Sequence, residues 1–151
     1  NVVVEGMEGS KYDAAPISGS FLRNLLDALF RQLNPVDVIE RVKADLQAGK
    51  LDAELVYSKR LRKDQEDIPG DKAPPHVIAA RKMAKIPPSN LIAFRFTESG
   101  PEPVQNKKAR PDYRHYQEKV LAPIAEMLLA GTAYENAAAS LKRAENQLSF
   151  F

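Results

Sequence analysis

The residues best suited to chemistry are four cations within five positions: Lys59, Arg60, Arg62 and Lys63. This basic cluster directly follows residues 55–57, an apolar run that we expect to be extended and to fix the cluster against a core. Closely spaced ammonium and guanidinium groups can contact successive phosphates of a nucleic acid without reading its sequence. A solvated surface loop would show the same pattern, and composition alone does not decide between the two.

Positive charge is concentrated in the later part of the chain. Residues 1–58 contain six Lys and Arg and nine Asp and Glu. From residue 59 onward, the chain contains sixteen Lys and Arg and eleven Asp and Glu. A nucleic-acid surface can therefore lie within a chain whose net charge is only +2. Two further basic patches are expected, formed by Arg81, Lys82 and Lys85 and by Lys107, Lys108 and Arg110.

A catalytic site is not evident. The chain has no Cys and two His, and it lacks a phosphate-binding Gly-rich loop, a nucleophile elbow and paired His at metal-ligand spacing. For His76 and His115, a local hydrogen bond at a helix end is favoured over a catalytic role. The Asp and Glu residues are scattered, so general acid-base or two-metal chemistry has no obvious position. We predict no catalytic residue, metal ligand or cofactor in these 151 residues.

Size and composition indicate one soluble domain. The chain has 151 residues and 16.8 kDa, with 44% hydrophobic and 28% charged residues and a mean hydropathy of −0.39. No apolar run approaches the roughly 18 residues that a membrane-spanning helix needs. The absence of Cys suits a reducing cytoplasm. Because the chain begins at Asn1 without an initiator Met, we expect a piece of a longer protein or a processed product.

The elements needed to position these groups form a mainly helical α+β domain with a few short strands and an extended C-terminal tail. Leu residues at helical spacing, ending in Phe30 and Leu33, predict a core-facing helix from about residue 16 or 18 to residue 33. A second helix should start at the N-cap Asn34 and Pro35 and end before Gly49, packing on the first as a hairpin.

The remaining elements follow from periodicity and from Pro and Gly. We expect strands at residues 2–4, 55–57 and 91–97, the last with its aromatic side chains on one face and ended by residues 100–103. Residues 64–75 should be an exposed loop. Helices are expected at about 76–85, at 111–129 with a kink or break at Pro123, and at 133–147.

The C-terminus is unusually apolar. Two interpretations stay open, since these residues either pack into the domain's own core or anchor an extended peptide in a partner's pocket. The segment consists of Gln147, Leu148, Ser149, Phe150 and Phe151.

Several short motifs, in this order and spacing, resemble the C-terminal thumb region of family B DNA polymerases, and within that family the bacterial DNA polymerase II group. Residues 55–62 are similar to the family stretch L-V-Y-x-K-R-L-R, and residues 74–81 to P-P-H-V-x-A-A-R. Residues 100–103 match a G-P-E-P string, and residues 112–116 a D-Y-x-H-Y helix that is followed by Pro123. The resemblance covers essentially the whole chain.

The resemblance implies that residues 1–146 form a thumb domain and residues 147–151 a peptide similar to the one that holds the sliding clamp. It implies backbone contacts to primer–template duplex DNA, supported or extended by His76 and Arg81. The DNA-binding residues implied are Lys59, Arg60, Arg62, Lys63, His76 and Arg81. The longer enzyme would be a nucleotidyltransferase of DNA replication and repair with Mg in its palm, in the bacterial cytoplasm at the nucleoid and without membrane contact.

This chain departs from the polymerase II group at two positions before residue 21. Lys11 and Ala14 stand where that group has an Arg and a Trp, and Lys11 cannot form the bidentate phosphate contact of an Arg.

The alternative is a stand-alone module that is derived from a thumb and binds DNA and the clamp outside any polymerase. A small helical enzyme would need a site that the sequence does not show.

Overall fold

A computed structural model describes residues 14–65 and 67–142, apart from the side chain of Asp71. The α-helices in this part are α1 (Pro16–Phe30), α2 (Pro35–Gln47), α3 (Pro75–Arg81), α4 (Tyr113–His115) and α5 (Ala122–Leu129). The strands are β1 (Tyr57–Arg60), β2 (Leu91–Thr97) and β3 (Gly100–Pro103). This confirms the predicted α+β class with mainly helical content. The expected strand at residues 2–4 and the C-terminal tail lie outside the described residues.

Helices α1 and α2 form the predicted hairpin, and the capping residues act as expected. The Asn34 side chain accepts a hydrogen bond of 2.9 Å from Val36 N, and Pro35 occupies the first turn. Gly49 follows α2 with φ of 79°, where glycine adopts the left-handed conformation without steric cost. Leu22 and Leu25 of α1 are fully buried in the main core, together with Ile39 and Leu46 of α2.

The prediction that Phe30 and Leu33 extend the core stripe was wrong, because α1 ends at Phe30. Gln32 adopts φ of 60°, and Gln32 N and Leu33 N donate to the carbonyls of Leu29 and Ala28 at 3.2 and 2.8 Å. This is a Schellman motif, which reverses the chain and takes Leu33 out of the helical period. Leu33 is therefore 55% exposed, and Phe30, the last residue of α1, is 93% exposed.

The three strands form an antiparallel sheet in the order β1-β2-β3. Strand β2 has the predicted bounds, and its Ile92 and Phe94 are buried against Ala79 and Ala80 of α3. Strand β1 begins later than predicted, at Tyr57 opposite Phe94. Residues 52–55 form a 3₁₀ turn instead, because this turn places Leu55 in the main core with no exposed area.

Residues 100–103 do not simply end β2, as predicted, but return beside it as β3. Thr97 Oγ1 donates to the Gly100 carbonyl at 2.7 Å and accepts from Ser99 N at 3.0 Å, which closes a tight turn. Gly100 has φ of 88°, a conformation that favours glycine. The two prolines of β3 are tolerated because β3 lies at the sheet edge, where a strand can lack donors on one side.

The later helical segments match the predictions in part. Helix α3 ends at Arg81 rather than near residue 85, and the predicted loop at 64–75 contains the 3₁₀ turns Lys63–Gln65 and Gly70–Lys72. The segment predicted at 111–129 runs from α4 through a π-helical turn, Tyr116–Leu121, into α5. Pro123 lies in the first turn of α5. The helix therefore changes from π-helical to α-helical just before Pro123, where a kink or break was expected. Residues 135–139 form a 3₁₀ helix in place of the expected α-helix.

Tyr116 joins the helical core to the sheet. Its hydroxyl donates to the Leu55 carbonyl at 2.7 Å and accepts from Phe96 N at 3.0 Å, and the side chain is fully buried. Burial raises the pKa of Tyr116 well above its usual value. Its ring contacts those of Tyr57 and Phe96, which pack against both hydrophobic clusters. One tyrosine thus fixes the sheet that carries the basic cluster.

Candidate nucleic-acid interface

The basic cluster lies at an edge of the sheet and in the turn that follows it. Lys59 and Arg60 belong to β1, where they pair with Ile92 and Leu91 of β2. Side chains alternate along a strand, so Lys59 lies on the half-buried side of Tyr57, whereas Arg60 points to the opposite, exposed side. A duplex lying across the edge could contact both cations, but a ligand on one sheet face could not.

Arg60 is held in place by a neighbouring turn. Its Nη1 donates to the Ser89 carbonyl at 2.9 Å, and Leu61 N donates to the Asn90 carbonyl at 2.7 Å. Asn90 adopts φ of 61°, which brings this turn back toward the end of β1. The Arg60 guanidinium remains exposed in this position and is therefore oriented before any ligand arrives.

Arg62 and Lys63 lie beyond the strand and are exposed. Arg62 Nε lies 3.4 Å from Asp64 Oδ1, with both side chains largely in solvent, where an ion pair contributes little. A phosphate can replace Asp64 as the partner of Arg62 at small cost. Lys63 starts the 3₁₀ turn that ends at Gln65.

Gln65 organises this turn, a role that no local sequence pattern predicts. Its Oε1 accepts hydrogen bonds from Arg62 N at 3.1 Å and from His76 Nε2 at 2.9 Å, and the residue is buried. His76 was predicted as a DNA-binding residue, but the fold leaves only 1% of it exposed, so its ring does not face a surface ligand. His76 instead ties α3 to the basic turn through Gln65.

Arg81 is exposed at the end of α3, and its Nη2 donates to the Ile68 carbonyl. It lines a cavity of about 430 Å³ together with Leu61, the residue after β1. Arg81 therefore lies beside the basic cluster, and these two parts of the sequence prediction come together in space.

The other predicted basic patches are only partly available. Lys82 Nζ binds Glu102 Oε2 at 2.6 Å and the carbonyls of Ser99 and Pro101 at 3.1 and 3.0 Å. The hydrogen bond from Lys82 holds the pKa of the buried Glu102 below its usual value. Lys82 thus links α3 to the turn between β2 and β3, and it lies at the surface with its ammonium already engaged.

Arg110 is also engaged, since its Nε lies 3.7 Å from Glu98 Oε2 and its guanidinium lies 5.9 Å from the centre of the Tyr113 ring. Lys85, Lys107 and Lys108 are exposed. Arg95 was not among the predicted binding residues, although the register places it on the same sheet face as Arg60. The alternation of β2 was the signal that could have identified it.

Residues 14–65 and 67–142 provide no group of three or more His, Asp or Glu side chains placed to hold a metal ion. In the same part of the chain, no helix has the length and apolar character needed to cross a membrane.

The chain is similar to a segment of a bacterial DNA polymerase. It is 32% identical over 138 residues to DNA polymerase II of Escherichia coli (strain K12), an alignment that covers 85% of this chain and 18% of that protein. The chain therefore spans less than a fifth of the length of this curated relative. No protein-family model matches it. These findings relate the chain to a segment of a DNA polymerase.

Proposed function

We propose that this chain is the thumb part of a DNA polymerase II-like enzyme and that it binds primer–template duplex through the sugar–phosphate backbone. The observation that carries the proposal is the similarity to DNA polymerase II over most of the chain. Nucleotidyl transfer and the Mg that it needs would belong to other parts of the longer enzyme. A role on DNA would place the protein in the cytoplasm, at the nucleoid.

The geometry of the basic cluster supports this role. Arg60, Arg62 and Lys63 are exposed at a sheet edge and the following turn, Lys59 is half-buried beside them, and Arg81 is adjacent. Cations that point to both sides of an edge can contact phosphates across a groove without reading bases. Such a contact suits an enzyme that must bind any sequence.

A second explanation of the cluster must be separated from this one. Charged side chains on an edge strand also prevent that edge from pairing with another sheet. The two explanations predict different effects, since edge protection concerns aggregation and DNA binding concerns affinity for the duplex.

The experiment compares two quadruple Gln variants with the parent chain. The first replaces Lys59, Arg60, Arg62 and Lys63, and the matched control replaces four exposed cations outside the predicted basic patches, Arg23, Lys50, Lys119 and Lys142. Both lose the same net charge, so only the position differs. Fluorescence anisotropy with a primer–template duplex should show roughly a tenfold or greater loss of affinity for the first variant and a much smaller loss for the control. Equal losses, or aggregation of the first variant with unchanged affinity, would contradict the proposal.

We also propose that the C-terminal peptide tethers a sliding clamp. The peptide Gln147, Leu148, Ser149, Phe150 and Phe151 lies outside the described residues, and its composition supports the proposal. A Gln can bond polar groups at a pocket rim while Leu and aromatic side chains fill the pocket. Deleting residues 147–151 should abolish binding to a purified bacterial sliding clamp in surface plasmon resonance and leave duplex affinity unchanged. Persistent clamp binding would show that the tail is not the tether.

A further inference from the structure

A groove runs between α1 and α2, on a part of the molecule that the DNA-binding proposal does not use. It has a volume of about 530 Å³, within the range of protein sites that bind ligands. Its α1 wall extends from Ile17 to Ala28, about 16 Å at the rise of an α-helix. The half-buried Val38, Val42 and Leu51 contribute apolar surface. The groove can therefore hold apolar side chains of a segment several residues long.

The lining of the groove is strongly acidic compared with the chain segment that forms it. Residues 14–58 contain six Asp and Glu and five Lys and Arg. Four of the acidic side chains line the groove, but Arg41 is the one lining cation among the described residues. The acidic lining residues are Asp27, Asp37, Asp45 and Glu54.

Most of these carboxylates keep the capacity to attract a ligand. Asp27 lies 3.1 Å from Arg31, but both side chains are more than half exposed, so the pair can exchange partners. Glu54 accepts a hydrogen bond of 2.8 Å from Ser20. Asp37 and Asp45 stand on the α2 wall. An apolar floor with carboxylates along its sides favours an apolar segment flanked by cations.

We propose that the α1–α2 groove is a docking site for a basic amphipathic helix of a partner protein. Leu-type side chains would enter the groove while Lys or Arg on either side pair with Asp37, Asp45, Asp27 and Glu54. The negative charge of the groove disfavours a nucleic acid, so this site is separate from the basic cluster. The proposal does not depend on the DNA-binding role.

The test uses the full chain labelled with ¹⁵N and a synthetic helical peptide of about 14 residues, with Leu at i, i+3, i+4 and i+7 spacing and Lys beside them. A second peptide with Glu in place of Lys is the charge control. The Lys peptide should shift the amide signals of groove residues such as Ala28, Val38 and Val42. The Glu peptide should bind at least roughly tenfold more weakly.

A variant pair locates the interaction. Asp37→Asn with Asp45→Asn should weaken binding of the Lys peptide by roughly fivefold. The control, Glu40→Gln with Glu135→Gln, removes two exposed charges outside the groove and should change affinity by less than about twofold. Duplex DNA affinity should not fall in either variant, so failure of this proposal is distinguishable from failure of DNA binding.

Three results would overturn the proposal. The first is equal binding of the Lys and Glu peptides, and the second is amide signal shifts located away from the groove. The third is a dimer, seen by light scattering, that is weakened by Asp37→Asn with Asp45→Asn. The last result would assign the groove to a second copy of the chain.

Discussion

The α1–α2 hairpin and the sheet region, residues 57–103, use charged residues in opposite ways. In the hairpin, most carboxylates line an open groove and remain near solvent. In the sheet region, the cations differ in how strongly they are held, because Lys82 bonds Glu102 and two carbonyls, whereas Arg60 bonds the Ser89 carbonyl and Arg62 forms a solvent-exposed pair with Asp64. A charged residue is therefore best placed to bind a ligand where its existing contacts are few or exposed to solvent.

Breaking the connection between the helical core and the sheet should have the largest effect. Tyr116→Phe removes the hydroxyl that bonds Leu55 O and Phe96 N, and leaves both backbone groups without that partner. We expect a loss of about 2–4 kcal/mol in the free energy of unfolding, measured in urea. Tyr134→Phe, at an exposed tyrosine, is the control and should change stability by less than about 0.5 kcal/mol. A loss no larger than the control's would show that Tyr116 does not join the regions.

The engaged and exposed cations can be separated by substituting one of each. Lys82→Met should reduce stability by about 1–2 kcal/mol because Glu102 keeps a buried carboxylate without its main partner. Lys63→Met should leave stability within about 0.5 kcal/mol and weaken duplex binding more than Lys82→Met does. Urea unfolding and anisotropy measure the two effects.

The Lys82–Glu102 pair should also make the free energy of unfolding depend on pH. The lowered pKa of Glu102 means that its stabilisation is present above its unfolded pKa, about 4.3, and is lost as pH falls through the folded value. The parent chain and Lys63→Met should lose this stabilisation in acid. Lys82→Met should lose much less, because it already lacks the hydrogen bond to Glu102. If the free energy of unfolding fell equally with decreasing pH in all three chains, the role assigned to Lys82 would be contradicted.

The ends of the hairpin helices provide a sharper test at smaller energy. Both α1 and α2 end in Schellman motifs, but Gln32 occupies the left-handed position in the first and Gly49 in the second. Gln32→Gly should stabilise the chain and Gly49→Ala should destabilise it, each by about 1 kcal/mol. Thermal unfolding measures both, and changes of the same sign would contradict the assigned conformations.

A smaller, pH-dependent effect is expected at His115. Its ring stacks on Phe96 with centroids 3.9 Å apart, and burial lowers its pKa. Asp112 and Lys119 act on it in opposite directions, the first raising and the second lowering its pKa. Stability should therefore be full above the unfolded pKa, about 6.5, and fall as pH drops toward the folded value. His115→Phe should flatten this slope in urea titrations, and an unchanged slope would assign it to another group.

Much of the hairpin and β2 could be predicted, because their signals are local. Asn34, Pro35 and Gly49 act on their own backbone, and the alternation of β2 shows which side chains are buried. The left-handed Gln32 carries no such signal, since Gln has no preference for that conformation. Strand β3 was missed because prolines oppose a strand unless it lies at an edge, which depends on the pairing with β2.

The candidate site could be predicted only as a set of cations. The sequence placed Lys59, Arg60, Arg62 and Lys63 together, and the fold adds Arg81 beside them. The sequence alone could not indicate that His76 is buried against Gln65 or that Lys82 binds Glu102, because the residues of each pair are distant along the chain. Long-range contacts decide which charges remain at the surface.

The most direct test of the central claim is the salt dependence of duplex DNA binding. The slope of log K against log salt concentration should be shallower by about 3 in the variant lacking the charges of Lys59, Arg60, Arg62 and Lys63 than in the parent chain. The control at Arg23, Lys50, Lys119 and Lys142 should keep nearly the parent slope. An unchanged slope in the first variant, or equal changes in both, would contradict the claim that the basic cluster binds the DNA backbone.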